Sequence, residues 1–351
     1  MNHGEYSLLE ELKNAKSNKE LFDVASAIVT VEKLAGETFD DRSFILHAPL
    51  ELCARYFLLP LVDEKHFTGA RDRIIKLAEK YNAYKNLNDP SYVGLLKKAP
   101  FFDISNINVE DWATSLLFAS HACILLAMQL NTGETNESIN SQLAMMNNEI
   151  ISDPSAKMQW TNDQQIAHNL DIESIDNILK YYVETIGNIE PQNAESEGIR
   201  NSVNIVESRE LVKPIVAHQH NSIDATNHDE IEQHFQSLIR TAAMTMLIED
   251  GVHSKFGWSH CLTIPHSIWS LTTFADDPLR MLQAATTHVI TPRVMLGKEK
   301  MTLEMFEEYF EAEETSIFAE HYIFISDLIS SASTMEDAHL VKYIYACFDC
   351  M

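Results

Sequence analysis

The sequence predicts an all-α protein, a multi-helix bundle carrying one long polar insertion. Apolar residues recur at the three- and four-residue spacing of a buried helix face, as at Leu8, Leu9 and Leu12 and again at Leu21, Val24, Ala25 and Ile28. Strict alternation of polar and apolar residues, the mark of a half-buried strand, is rare. Glycine supplies only 10 of the 351 residues, well under the usual share of about 7%. That shortage disfavours turn-rich β architecture and glycine-loop nucleotide folds.

Beyond the two N-terminal helices, the spacing predicts helices near 49–59, 67–85, 109–130, 172–186, 230–248, 278–287, 303–312, 316–331 and 335–348. Pro49 and Pro278 suit first-turn positions, where the missing amide hydrogen costs no bond. The uncharged stretch 112–130 is long enough to span a bilayer. Thr114, Ser115, Ser120, His121 and Gln129 interrupt it, however, and Glu110 and Asp111 flank it, so a buried central helix is expected. Pro265 divides the apolar stretch 258–274 and predicts two core segments meeting at a bend. Between 131 and 228 the composition moves toward Asn, Gln, Ser and Glu, which reads as an insertion or lid leaving the core, most loop-like over 190–228. With no internal repeat and apolar helices at both ends, a single helical domain over 1–351 is expected.

The charge balance is 26 basic against 52 acidic residues, a net −26, which repels a phosphate backbone and an anionic membrane alike. Nucleic-acid and membrane partners are therefore not expected. An odd number of cysteines (Cys53, Cys123, Cys261, Cys347 and Cys350), several within apolar runs, fits a reducing cytoplasm. The N-terminal stretch has no basic segment leading into an apolar one, so no secretory signal is expected. Cys347 and Cys350 form a lone Cys-x-x-Cys with no second pair, read as frayed-end thiols.

The chain carries 15 histidines. His218, His220, His228 and His234 cluster near the polar insertion. A His-x-His pair can chelate a metal, but no cysteine or carboxylate framework accompanies it, and solvated surface residues are expected. Four others lie within or beside apolar segments, where a charge is expensive. His47 stands in SFILHAPLELCARYF, and because Ala48 precedes a proline it is placed just outside the start of the next helix. His121 lies in LLFASHACILL, His260 in GWSHCLTIPHSIW, and His339 in MEDAHLVKYIYACF. Singly, each reads as a hydrogen-bonded core residue. Together, neutral imidazoles drawn from four distant segments can build a metal site inside a helical bundle. Lys342, three residues after His339, shares its helix face. Its default is to snorkel to solvent; buried, it becomes a neutral amine able to bind metal, form a Schiff base or take up carbon dioxide as a carbamate.

Dinucleotide, P-loop, serine-hydrolase and zincin motifs are absent. Glu336 with His339 is the single Glu-x-x-His, whereas helical di-iron proteins need two, so Glu336 reads as a solvated acid.

LHAPLELCARYFL, ASHACILLAM, WSHCLTIPHSI and DAHLVKYIYAC together resemble the questin oxidase-like family, in which matching segments occur in the same order. The resemblance implies oxidative opening of polycyclic aromatic, anthraquinone-type rings at a nonheme iron(II). It implies His47, His121, His260 and His339 as ligands, with Lys342 as a carboxylated lysine. Phe118 and Thr114 depart from the family pattern, which carries an arginine and a histidine there. His266 and His288 are candidate acid-base or supporting groups, and Phe44, Tyr56, Trp112, Trp258 and Trp269 either stack on a flat substrate or belong to the core. The expected partners are an aromatic small molecule and dioxygen, with consumption of NADPH left open. Two other readings stand beside this one: a noncatalytic helical protein whose insertion binds a partner, and a hydrolase or lyase using another metal in the same cage.

Overall fold

Helices form wherever the apolar spacing is strong, in the order α1 (His3–Asn14), α2 (Asn18–Val29), α3 (Phe39–Leu58), α4 (Glu64–Asn88), α5 (Val109–Thr114), α6 (Ala119–Thr132), α7 (Glu137–Ser152) and α8 (Ile178–Gly187). The chain continues through α9 (Ile199–Ser208), α10 (Lys213–Ser222), α11 (His228–Asp250), α12 (Ser259–Leu271), α13 (Pro278–Leu296), α14 (Leu303–Glu314), α15 (Phe318–Thr334) and α16 (Ala338–Asp349). The computed structural model describes residues 3–29, 39–88, 107–115, 119–132, 136–152, 157–162, 178–192, 199–250, 258–298, 300–314 and 318–349. Among them no strand forms, and one isolated bridge joins Ser115 to Lys157. The protein is all-α.

Where the sequence predicts one domain, the contacts group the chain into two compact units, residues 1–107, 124–149 and 317–351 in one and 108–123 and 150–316 in the other. In the first unit α3 is buried on every side from His47 to Arg55, as befits a central helix. It packs against α16, α2 and α4. In the second unit α13 takes that role, against α12, α11, α9, α5 and α10. The buried hydroxyls of Thr286, Thr287 and Thr291 donate to the carbonyls four residues back at 2.9, 3.0 and 2.8 Å, so none is left unsatisfied in the core. Asp277 caps α13, accepting from Arg280 N at 3.0 Å, and Pro278 occupies the first turn as expected.

Several local expectations are corrected. Pro49 and Pro265 lie inside α3 and α12. Each forgoes one backbone bond there, and dense burial around both turns keeps the helices going. His47 is consequently a helical residue rather than one preceding the helix. The helix expected over 109–130 divides after Thr114, where the carbonyl of Thr114 accepts instead from Met158 N at 2.9 Å. The segment 190–228, expected as loop, contains α9 and α10, which pack on α13. Val203, Val206, Val212, Ile215 and Val216 are buried there. Sparse apolar residues at the right spacing suffice to dock a short helix, each contributing about 1.5–3 kcal/mol of burial.

Candidate metal centre

The first unit brings His47 and His339 together across 292 positions of sequence. Their Nε2 atoms are 3.0 Å apart and their rings meet edge to face, with centroids separated by 4.6 Å. Both are more than nine-tenths buried. Two neutral imidazoles face each other this closely when one Nε2 donates its proton to the other, or when a cation lies between the two lone pairs. First-row metals hold imidazole nitrogens at about 2.0–2.1 Å, which sets adjacent ligands roughly 2.9–3.4 Å apart. The pair fits that requirement.

Local structure fixes the rings. Asp337 caps α16, its Oδ1 accepting from His339 N at 2.8 Å and Leu340 N at 3.4 Å. The same oxygen stands 3.7 Å from His339 Nδ1, beyond hydrogen-bond reach but close enough for its charge to attract a proton on that nitrogen. On α3, one turn beyond His47, Glu51 and Arg55 form a buried ion pair at 2.6 Å. Arg73 approaches Glu51 at 3.9 Å.

Lys342 is fully buried, correcting the expectation that it snorkels. Its Nζ has no hydrogen-bond partner among the described residues. Burial pushes its pKa down to about 7, against the pull of Glu51 and Asp337 toward the charged form. The helix explains the placement, because His339, Lys342 and Ala346 share one face of α16 and that face packs on α3. Glu336 is exposed and pairs with Arg73 at 3.5 Å, as a solvated acid should.

In the second unit, His260 and His266 are buried on α12 and His288 on α13. His260 and His288 line a shared cavity, which His266 does not reach. Desolvation lowers the His288 pKa to about 4, so this imidazole is neutral near pH 7. His121 lies on α6, but its side chain is outside the described residues, as is that of Phe44. Trp112 and Trp258 are buried core, Trp269 stacks near Phe235 with centroids 6.2 Å apart, and Tyr56 stacks on Phe22 at 4.2 Å. Cys347 is half-buried, and Cys350 lies outside the described residues.

The expectation that the insertion histidines are all solvated fails for two of them. His220 and His228 are exposed, whereas His218 and His234 are buried. His234 Nδ1 bonds the Tyr182 hydroxyl at 3.0 Å, which also accepts from Gln219 Nε2 at 3.2 Å. Gln219 in turn donates to Thr286 at 2.8 Å. His218 Nδ1 meets Ser222 Oγ at 3.1 Å, and its ring packs on Tyr181 with centroids 4.3 Å apart. The i, i+3 and i+4 apolar frame of α11, Ile231, Phe235 and Leu238 with His234 between them, is the signal that places His234 inward.

Desolvation lowers the His234 pKa from 6.5 to about 4. The unfolded chain therefore binds a proton below pH 6.5 that the folded chain refuses. The stability this group contributes is full above pH 6.5 and falls away as the pH drops toward 4, by roughly 3 kcal/mol. A His234→Gln variant is expected to flatten the acid limb of the stability curve over that window. Urea denaturation at pH 7.5 and pH 4.5 checks this, and an unchanged difference between the two pH values contradicts it.

Compared with known proteins, the chain matches no family model, no curated protein and no solved structure. Fold and site together define an all-α protein with a buried histidine site able to hold a metal ion. Among the described residues, no helix is long and apolar enough to cross a membrane.

Proposed function

We propose that the chain is a nonheme iron oxygenase that oxidises or opens a flat aromatic or quinonoid small molecule with dioxygen. The observation that carries the reading is the close approach of two buried imidazoles, His47 and His339, on a helix pair that also buries the amine of Lys342. In this reading His47 and His339 are the first two ligands. Lys342 provides the anionic oxygen ligand after carboxylation. Its neutral nitrogen adds to carbon dioxide: the nitrogen–carbon bond forms as one C=O π pair moves to oxygen, and the proton released from nitrogen passes to solvent, leaving a carbamate. Burial favours that step by lowering the pKa to about 7, so that a large share of the amine is unprotonated near neutral pH. Iron(II), when bound, supplies the open position and reducing electrons that dioxygen chemistry requires.

The remaining work belongs to the chain. Asp337 fixes the first turn of α16, which carries His339, and dense burial around α3 and α16 excludes water from the donor atoms. Burial holds His288 in its neutral form near pH 7, so it sets no charge beside the apolar wall of the cavity.

The test is aerobic turnover. Protein loaded anaerobically with iron(II) is mixed with a hydroxylated anthraquinone, and dioxygen uptake is followed. Substrate-dependent uptake that disappears in His339→Ala is the expected result. Substrate loss without dioxygen consumption favours the hydrolase or lyase reading, and inertness of the iron-loaded protein toward aromatic quinones contradicts the proposal.

A further inference from the structure

The second unit contains a cavity of about 30 Å³ walled by His260, His288, Ile264, Pro292, Met295 and Leu296. One water needs at least about 10–15 Å³ on this measure, whereas a cavity that admits benzene measures about 150 Å³. The space therefore fits a guest of two or three heavy atoms and excludes an aromatic ring. Its exposed wall is almost entirely carbon. The hydroxyl of Thr291, which also borders it, is committed to the Thr287 carbonyl at 2.8 Å. Among the described residues, no carboxylate, lysine or arginine lines it.

These properties select the occupant. A water molecule held inside a protein wants two to four polar partners, and almost no polar surface faces this space. An ion would meet no opposite charge and would bear a full desolvation cost. A small uncharged apolar molecule loses little hydration on entry and gains dispersion contacts with the Ile264, Met295 and Leu296 side chains. We infer that this cavity is a dioxygen-binding chamber, holding one diatomic molecule against the His260 and His288 rings. That the bound gas is a substrate rests on the oxygenase reading, whereas its binding does not. The chamber also implies a division of labour: dioxygen is held between α12 and α13, and the flat organic substrate binds elsewhere.

The chamber can be tested with dioxygen itself. Methyl resonances of isotopically labelled protein are recorded under dioxygen and under nitrogen at equal pressure, and the paramagnetic relaxation caused by dissolved oxygen is read residue by residue. The expected result is a several-fold larger enhancement at the Ile264, Met295 and Leu296 methyls than at Leu279 and Met281, which are buried on α13 but do not line the cavity. Ile264→Phe fills the space and should abolish the excess. Should that variant fail to fold, Leu296→Phe provides the same block from the opposite helix. Cavity methyls that relax no faster than Leu279 and Met281 overturn the inference. Enhancement in protein that binds no iron upholds the chamber and removes the oxygenase reading, so the two claims fail separately.

Discussion

An Arg55→Met variant is expected to lose about 3–5 kcal/mol of stability, the usual cost of stranding one half of a buried ion pair. Arg55 is 1% exposed. Its Nε donates to Glu51 Oε1 at 2.8 Å, and its two terminal nitrogens donate to the carbonyls of Ser333 and Met335, each at 2.7 Å. Removing the guanidinium leaves Glu51 buried without its close partner, with Arg73 3.9 Å away, and leaves two carbonyls at the end of α15 without their donors. The same bonds tie α3, which carries His47, to the turn that leads into Asp337 and His339. A loss of metal affinity should therefore accompany the loss of stability. Arg55→Lys is expected to recover only part of either, since an ammonium cannot serve three acceptors arranged around a planar fork. The double variant Glu51→Gln/Arg55→Met should be more stable than Arg55→Met alone. Urea denaturation decides the matter, and a single variant within 1 kcal/mol of the parent (roughly the net value of one ordinary hydrogen bond) contradicts it.

Lys342→Met is expected to separate stability from function. The amine lies buried without a hydrogen-bond partner among the described residues, and such a group costs free energy that an apolar side chain of similar length does not. The metal-free variant should be more stable than the metal-free parent by about 1–3 kcal/mol, the cost of a buried polar group left unsatisfied. Dioxygen uptake should fall to background at the same time, because methionine cannot form a carbamate. Such opposite signs are the mark of a group retained for chemistry at the expense of packing. Thermal denaturation and oxygen-electrode measurements on the same preparation provide both readings. A destabilised variant with undiminished uptake would remove Lys342 from the site.

What the sequence discloses about this molecule depends on whether the deciding contact is local. The helical class follows from periodicity, and Asp277–Pro278 marks the start of α13 because capping is a short-range event. The meeting of His47 with His339 was legible only through the pattern of imidazoles within apolar segments. Each segment alone fits a core histidine equally well. Burial of Lys342 was not legible, since the same Leu, Val, Ile and Tyr neighbours suit a snorkelling lysine. Only the packing of α16 on α3 decides between the two. Pro49 and Pro265 misled for a related reason. Local preference ends a helix there, and the surrounding packing overrides it. In the insertion, Val203 and Val206 are too few to announce α9, and the Tyr182–His234 bond that helps to bury α11 joins positions 52 apart.

The account rests on a cation held at His47 and His339, and the most direct measurement is elemental analysis of the protein purified without chelators, beside His339→Ala prepared in the same way. The account predicts close to one iron per chain in the parent and its loss from the variant, with a melting temperature that drops in the parent, and not in the variant, when the metal is stripped. Metal-free parent protein that takes up no iron(II) on anaerobic addition, and whose melting temperature does not respond to it, would contradict the claim.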